Sequence, residues 1–195
     1  KIQEYITIKI MKTSYLFLAE GFEEVEAMTP VDVMRRAGME VYTVSITKNR
    51  EVKGAHGVTV LADNTIDEID ADDAEWLITP GGMPGATNLA ASGKLSDMLT
   101  NQYRKDGRIA SICASPAVVL APLGIVRGQN ATCYPSFKDD LIKGGANYID
   151  DRVVISGNLI TSNGPSSALF FALAIVSETL GEDVSASVGA GMLLG

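Results

Sequence analysis

The stretch "RIASICASPAVVLA", residues 108–121, carries an apolar run up to Cys113, one of two cysteines in the 195-residue chain. Ser111 stands two residues before it, Ser115 two after it, and Pro116 follows. A nucleophile on a tight strand-to-helix turn needs small residues at those positions, because the backbone doubles back there. Ser115 and Pro116 read as the N-cap and first residue of the next helix. A thiol just ahead of a helix N-terminus faces unpaired amides and the positive end of the dipole, and both favour the reactive thiolate. The same residues equally suit a buried cysteine that only fills a strand end. The spacing leaves both readings open.

A carboxylate and a glycine turn bear on that choice. In "EEVEAMTPVDVMRRAG", residues 23–38, a period of 3.6 places Ala27, Pro30, Val31, Val33, Met34 and Ala37 on one face, and Glu26 falls inside it. Glu23 sits at the edge of that arc, in the first turn, where an acid suits the dipole. A carboxylate facing a core is costly unless paired or protonated. Alone, Glu26 reads as a boundary residue. Beside a thiol, it would hydrogen-bond the thiolate or relay a proton. "TPGGMPGA", residues 79–86, leaves the amides of Gly81 and Gly82 unobstructed at a strand end, where they can form an oxyanion hole. Alone, it reads as a tight turn. It is neither G-x-G-x-x-G nor a P-loop, so nucleotide binding is not expected.

These groups need elements to hold them. Apolar runs at 14–20, 40–47, 74–80 and 107–113 read as strands, with a small excursion formed by 51–53 and 57–63. Residues 151–162 read as two strands turning at Gly157–Asn158. Helices are expected over 23–38 with a kink at Pro30, after the glycine turn, from Pro116, and over the strongly apolar 164–181. Strands alternating with helices imply an α/β sandwich around a mostly parallel sheet, with sites at the strands' carboxyl ends.

The bulk numbers exclude other classes. The formal net charge of −8 argues against a nucleic-acid partner. No apolar run approaches the ~20 residues that span a bilayer, so no membrane role is expected. Two cysteines and one histidine, His56, are too few for a disulfide framework or a zinc site, and no metal or cofactor is expected. "KIQEYITIKI" carries charges unlike a secretory signal, so the protein is expected in the cytoplasm with reduced thiols. Residues 1–10 read as an extension before a start at Met11 or as an extra strand, and 11–195 as one domain.

Four segments, "LAEGFEEVEAMTPVDVMRRAG", "ITPGGMPGATNL", "IASICASPAVVLA" and "LITSNGPSSALFFALAIV", together resemble the ThiJ/PfpI superfamily, in its DJ-one-like branch. The likeness runs from Met11 to about Gly181. It implies a flavodoxin-like three-layer α/β sandwich, usually a homodimer. Cys113 matches the family's reactive, easily oxidised cysteine, and Glu26 the acid that hydrogen-bonds it. Gly81 and Gly82 match the turn whose amides face the thiol, and Ala114 follows the cysteine as in the family. The first helix and the strand excursion would pack on the partner, bringing Arg36 and His56 near the interface and the partner's site.

The departures are at histidines. Peptidase-like members carry histidine directly after the cysteine, where this chain has Ala114. The DJ-one branch often has histidine before a proline, where this chain has Tyr134 in "TCYPSFKDDL". Tyr134 would donate a hydrogen bond or shape the pocket, but it is a poor base at neutral pH. Cys133 beside it reads as a strand residue, with a resolving thiol as the alternative. The resemblance implies a cysteine-dependent enzyme on small reactive carbonyls, of glyoxalase III or deglycase type, through a Cys113 hemithioacetal. The alternative is a non-enzymatic redox sensor or stress protein oxidised at Cys113. A PfpI-type amidase or peptidase comes third, because the histidine is absent.

Overall fold

Short runs rich in Leu, Ile, Val and Phe, buried on both faces, make the middle of a parallel sheet. The computed structural model describes residues 12–195, and the extension expected before Met11 lies outside the described residues. In chain order the elements are β1 (Ser14–Leu18), α1 (Glu24–Arg36), β2 (Val41–Ser45), β3 (Glu51–Lys53), β4 (Thr59–Leu61), β5 (Asn64–Thr65) and β6 (Trp76–Thr79). Then come α2 (Gly85–Ala90), α3 (Gly93–Arg104), β7 (Arg108–Ile112), β8 (Asn130–Ala131), α4 (Lys138–Lys143) and β9 (Asn147–Tyr148). The hairpin β10 (Val153–Ser156) and β11 (Leu159–Ser162) leads to α5 (Ala168–Leu180) and α6 (Glu182–Gly191).

Seven strands form one sheet in the order β10-β11-β7-β6-β1-β2-β5. All neighbours are parallel except the β10–β11 hairpin. Alternation along the strands feeds two cores. Leu16, Leu18, Ile78, Ala110 and Ile160 pack with α1 and α5 on one face. Phe17, Leu77, Ile109 and Leu159 pack with Leu89 of α2 and with Leu95 and Leu99 of α3 on the other. The result is the expected three-layer sandwich. Each fully buried large side chain, such as Phe17 or Phe171, contributes roughly 1.5–3 kcal/mol against exposure. The excursion is as expected: β3 and β4 pair antiparallel outside the main sheet.

The short elements β5, β8, α4 and β9 add to the expected ones, the helix expected after the glycine turn is divided into α2 and α3, and two further elements differ. α6 was not expected. It follows Gly181, whose φ of +97° suits glycine, and Ser185 Oγ donates to Leu173 O of α5 at 2.8 Å. Its sequence of Ser, Ala, Gly and Val lacks a strong apolar period, so docking on α5 rather than pattern holds it. The helix expected from Pro116 is a single wide turn, Pro116–Leu120, closed by the i→i+5 bond from Ala121 N to Pro116 O at 3.0 Å.

Candidate active site

β7 ends at Ile112, and Cys113 takes φ of +65°. A non-glycine residue in that region stores about 1–3 kcal/mol of strain and persists only where its surroundings hold it. Two hydrogen bonds do so. Cys113 N–H donates to Ser162 O at 2.9 Å, and Cys113 C=O accepts from Tyr134 N–H at 2.8 Å. The cysteine is therefore a clamped elbow, not the end of a regular strand. Its accessible fraction is 9 %.

Ser115 does not cap a helix as expected. Its backbone is already helical, with φ of −65° and ψ of −34°, and its side chain makes no capping bond. The cause is that the turn starts a residue early: Val118 N–H already donates to Ala114 O at 2.9 Å. The freed Ser115 hydroxyl donates instead to Pro80 O, at 2.5 Å.

Glu26 lies on the core face of α1, fully buried. α1 delivers it there because Glu23 precedes the helix and caps it, with Glu23 Oε2 accepting from Glu26 N–H at 2.7 Å. Glu23 is thus the cap rather than a first-turn acid. Glu26 Oε2 accepts from Gly81 N–H at 2.9 Å. Among the described residues Oε1 makes no hydrogen bond of ordinary geometry, and the carboxyl's remaining polar neighbour is the Cys113 thiol.

Burial pushes the Glu26 carboxyl up to about 7, although the thiol and the Gly81 amide pull it down. Burial and the Glu26 charge push the Cys113 thiol above its ordinary range, against the amides of Gly82 and Ala114. The expected thiolate-favouring amides are present but outweighed, first by burial and then by the Glu26 charge. The two groups are one coupled acid. With a single proton between them, a proton on Glu26 removes the opposing charge and turns the carboxyl into a donor toward the thiolate.

The glycines divide their work. The Gly81 amide is committed to Glu26, so it does not join an oxyanion hole, and the amides of Gly82 and Ala114 are the ones at the sulfur. A Cβ on Gly81 would lie 2.6 Å from Cys113 Cβ and 2.7 Å from Glu26 Oε2. Gly82 has φ of +88°, and a Cβ there would lie 2.4 Å from Glu23 N. The 81–85 turn packs backbone to backbone on the 20–23 loop, and Glu23 N–H donates to Gly81 O at 3.0 Å.

The other named residues surround this centre at different depths. Tyr134 is half exposed, tied to Cys113 through its backbone, and a Cβ on Gly164 would lie 3.4 Å from its ring. Cys133 is fully buried, its thiol donates to Tyr134 O at 3.4 Å, and burial raises it to about 12. Both cysteines are free, and Cys133 is too deep to serve readily as a resolving thiol. His56 is exposed; its backbone N–H donates to Glu24 Oε1 at 2.7 Å, and its Nδ1 lies 2.8 Å from Glu24 Oε2 and 3.8 Å from Glu23 Oε1. It stands one carboxylate away from Glu26, whose amide Glu23 also holds. Arg36 is ten residues past Glu26 along α1, about 15 Å by helix rise, and pairs with Asp32 at 2.8 Å. It is not gathered with Cys113 within one chain. The sequence reading missed the Ser115–Pro80 bond and the Ser162 clamp. The residue at 115 was visible as a steric requirement and as a helix cap, not as a donor to Pro80.

A parallel-sheet α/β sandwich with a strained cysteine elbow beside a buried carboxyl is the architecture of a cysteine-centred flavodoxin-like class. Residues 12–178 match the DJ-1/PfpI family, and the chain belongs to it. It is 37% identical over 184 residues to protein dj-1beta of Drosophila melanogaster, covering 94% of this chain and 97% of that protein. The crystal structure of Drosophila melanogaster DJ-1beta superposes with a TM-score of 0.91 over 95% of this chain and 100% of that one, at 37% identity. The chain is 41% identical over 162 residues to the glutathione-independent glyoxalase DJR-1.2 of Caenorhabditis elegans, covering 83% and 84% of the two. It is 33% identical over 148 residues to deglycase TK1284 of Thermococcus kodakarensis, covering 75% and 87%.

Proposed function

We propose that the protein is a cysteine-dependent enzyme acting on small reactive carbonyls, of glyoxalase or deglycase type. The observation that carries this is the Glu26 carboxyl, buried against a strained thiol and raised to about 7, a proton carrier poised near neutral pH. The names of the Caenorhabditis and Thermococcus relatives support the same class.

With methylglyoxal, the Cys113 thiolate adds to the aldehyde carbon, forming a C–S bond and a hemithioacetal whose oxygen faces the amides of Gly82 and Ala114. The proton that Glu26 held beside the thiolate passes to the new hemithioacetal oxygen. The ionised Glu26 then takes the proton from that carbon and delivers it to the adjacent one, while the C–H electrons move toward the ketone and the hemithioacetal hydroxyl passes its proton to the former ketone oxygen. The product of this internal redox step is a thioester. Water cleaves it to lactate and returns the thiol. No imidazole is required, because one carboxyl moves one proton between neighbouring carbons. Amide hydrolysis, which needs an activated water and a protonated leaving amine, is served less well by this site.

The test is lactate formation from methylglyoxal. Activity is expected in the parent, with none in Cys113→Ala or Glu26→Gln; lactate that survives Cys113→Ala sinks the mechanism. A second reading, a redox sensor, is favoured by the same amides and carboxyl, which would hold a sulfinate on Cys113; a relative solved as "Toxoplasma gondii DJ-1, oxidized" shares 35% identity at a TM-score of 0.89, covering 93% of this chain and 98% of that one. That reading expects a gain of two oxygens confined to Cys113 under mild peroxide. We further propose a cytoplasmic homodimer. The free cysteines support the compartment. The exposed Val25 of α1, with Val58 and Leu61 of the β3–β4 excursion, supports a self-association face beside His56. Among the described residues no helix is long and apolar enough to cross a membrane.

A further inference from the structure

The peptide joining Pro80 to Gly81 is held at both ends. Its N–H donates to Glu26 Oε2 at 2.9 Å, and its carbonyl accepts from Ser115 Oγ at 2.5 Å. Glu26 and Ser115 are both fully buried. The amide is planar, with its N–H and C=O pointing in opposite directions. Ser115, two residues past the nucleophile, and Glu26, against the nucleophile, therefore pull on opposite ends of one rigid plate. Just before it, Thr79 Oγ1 donates to Ser111 Oγ at 2.8 Å, fastening the ends of β6 and β7 together. A hydrogen bond to a carbonyl polarises the amide and strengthens its N–H as a donor.

We propose that Ser115 is a positioning residue: its hydroxyl, acting through the Pro80–Gly81 peptide, orients and strengthens the donor that favours ionised Glu26, and so sets where the proton shared with Cys113 resides. This rests on the reading of Glu26 as proton carrier to a Cys113 nucleophile. Without the hydroxyl, Pro80 O is buried without its donor, the plate is free to tilt, and Gly81 N–H supports the carboxylate less. The proton then moves toward Glu26 and away from the sulfur. The thiol becomes a better nucleophile, while near neutral pH the carboxyl is less often ionised and so less available to take a proton from carbon. Simple loosening of the fold would also bare the thiol and slow turnover, but it would let water reach Glu26 and lower its titration, so an upward shift at Glu26 separates the two.

The experiment uses the full chain with Cys133→Ser throughout, comparing Ser115, Ser115→Ala and Ser115→Thr. Three readouts are taken: the Glu26 carboxyl by carbon NMR against pH, the iodoacetamide rate at Cys113 against pH, and lactate from methylglyoxal. In Ser115→Ala the Glu26 titration is expected to rise by about one pH unit, about tenfold in its acid constant. Alkylation near neutral pH is expected to rise and turnover to fall. Ser115→Thr, which keeps the hydroxyl, restores the parent titration. If the alanine variant does not fold, Ser115→Cys, a far weaker donor, is read at Glu26 alone. An unmoved Glu26 titration overturns the proposal. So does an equal gain in alkylation when Ser115→Ala is placed on Glu26→Gln, because no titrating carboxyl is left there to transmit it. If the parent makes no lactate, the carbonyl chemistry fails on its own, and the NMR and alkylation readouts still decide the role of Ser115.

Discussion

Replacing Glu26 with glutamine reports on the buried carboxyl through stability, independently of any substrate. In the folded protein this carboxyl is raised from 4.5 to about 7, mainly by burial. A group raised on folding contributes stability that is fully present below its unfolded value and is lost as pH rises through its folded one. The window is therefore from about pH 4.5 to above about pH 7, and stability should fall across it. At roughly 1.4 kcal/mol per pH unit, the displacement amounts to about 3 kcal/mol. The glutamine side chain keeps the volume and can accept from Gly81 N–H, but it has no proton to lose. The two proteins should be nearly equal in stability near pH 4, and Glu26→Gln more stable by about 3 kcal/mol above pH 8. Shifted groups that do not interact with Glu26 cancel in the difference. Glu68, held down to about 2 by the Thr65 amide and Arg50, loses its contribution only as pH falls below the window. His56, raised by its bond to Glu24, loses its contribution as pH rises, but does so in both proteins. Urea unfolding of both across this range measures the difference directly. A difference that stays flat with pH, or grows in favour of Glu26 as pH rises, refutes the account of a carboxyl kept neutral by burial against Cys113.

Three more substitutions probe the elbow and its surroundings. Gly81→Ala places a methyl 2.6 Å from Cys113 Cβ and 2.7 Å from Glu26 Oε2; it should cost about 1–3 kcal/mol and abolish turnover, and melting with wild-type alkylation would contradict that. Tyr134→Phe should leave the Cys113 alkylation rate within about twofold, whereas Tyr134→Pro, which suits the native φ of −58° but deletes the N–H to Cys113 O, should destabilise by about 1–3 kcal/mol; equal melts for the two would show the clamp is idle. If the protein forms the proposed homodimer, Val25→Glu combined with Leu61→Glu should give a monomer by sedimentation at the same concentration, and a dimer that survives both charges would place the self-association face elsewhere.

What was legible in the sequence is what local geometry dictates. The small neighbours at 111 and 115 allowed an elbow at Cys113 as well as a buried strand end, and Glu26 stood out on the apolar face of its helix, a boundary residue alone and a partner only once set beside a thiol. The strands were legible because a sheet buried on both faces demands continuous apolar runs. The misses share another cause. Ser115 was read from its neighbours as a cap, yet its partner is Pro80, 35 residues away, and nothing in either segment alone encodes that bond. The Gly81 amide was grouped with Gly82 because they are adjacent, but successive amides point in different directions, and α1 brings Glu26 to only one of them. Glu23 looked like an acid at the edge of the first turn until the 81–85 loop, bonded to its amide, fixed it as the cap that holds Glu26 in place. Residue type and period thus reveal which groups can do chemistry, while the assignment of each donor to each acceptor depends on where distant loops meet. In this site that assignment decides the chemistry, since the same two amides would support either the carboxylate or the sulfur depending on how one peptide plane is turned.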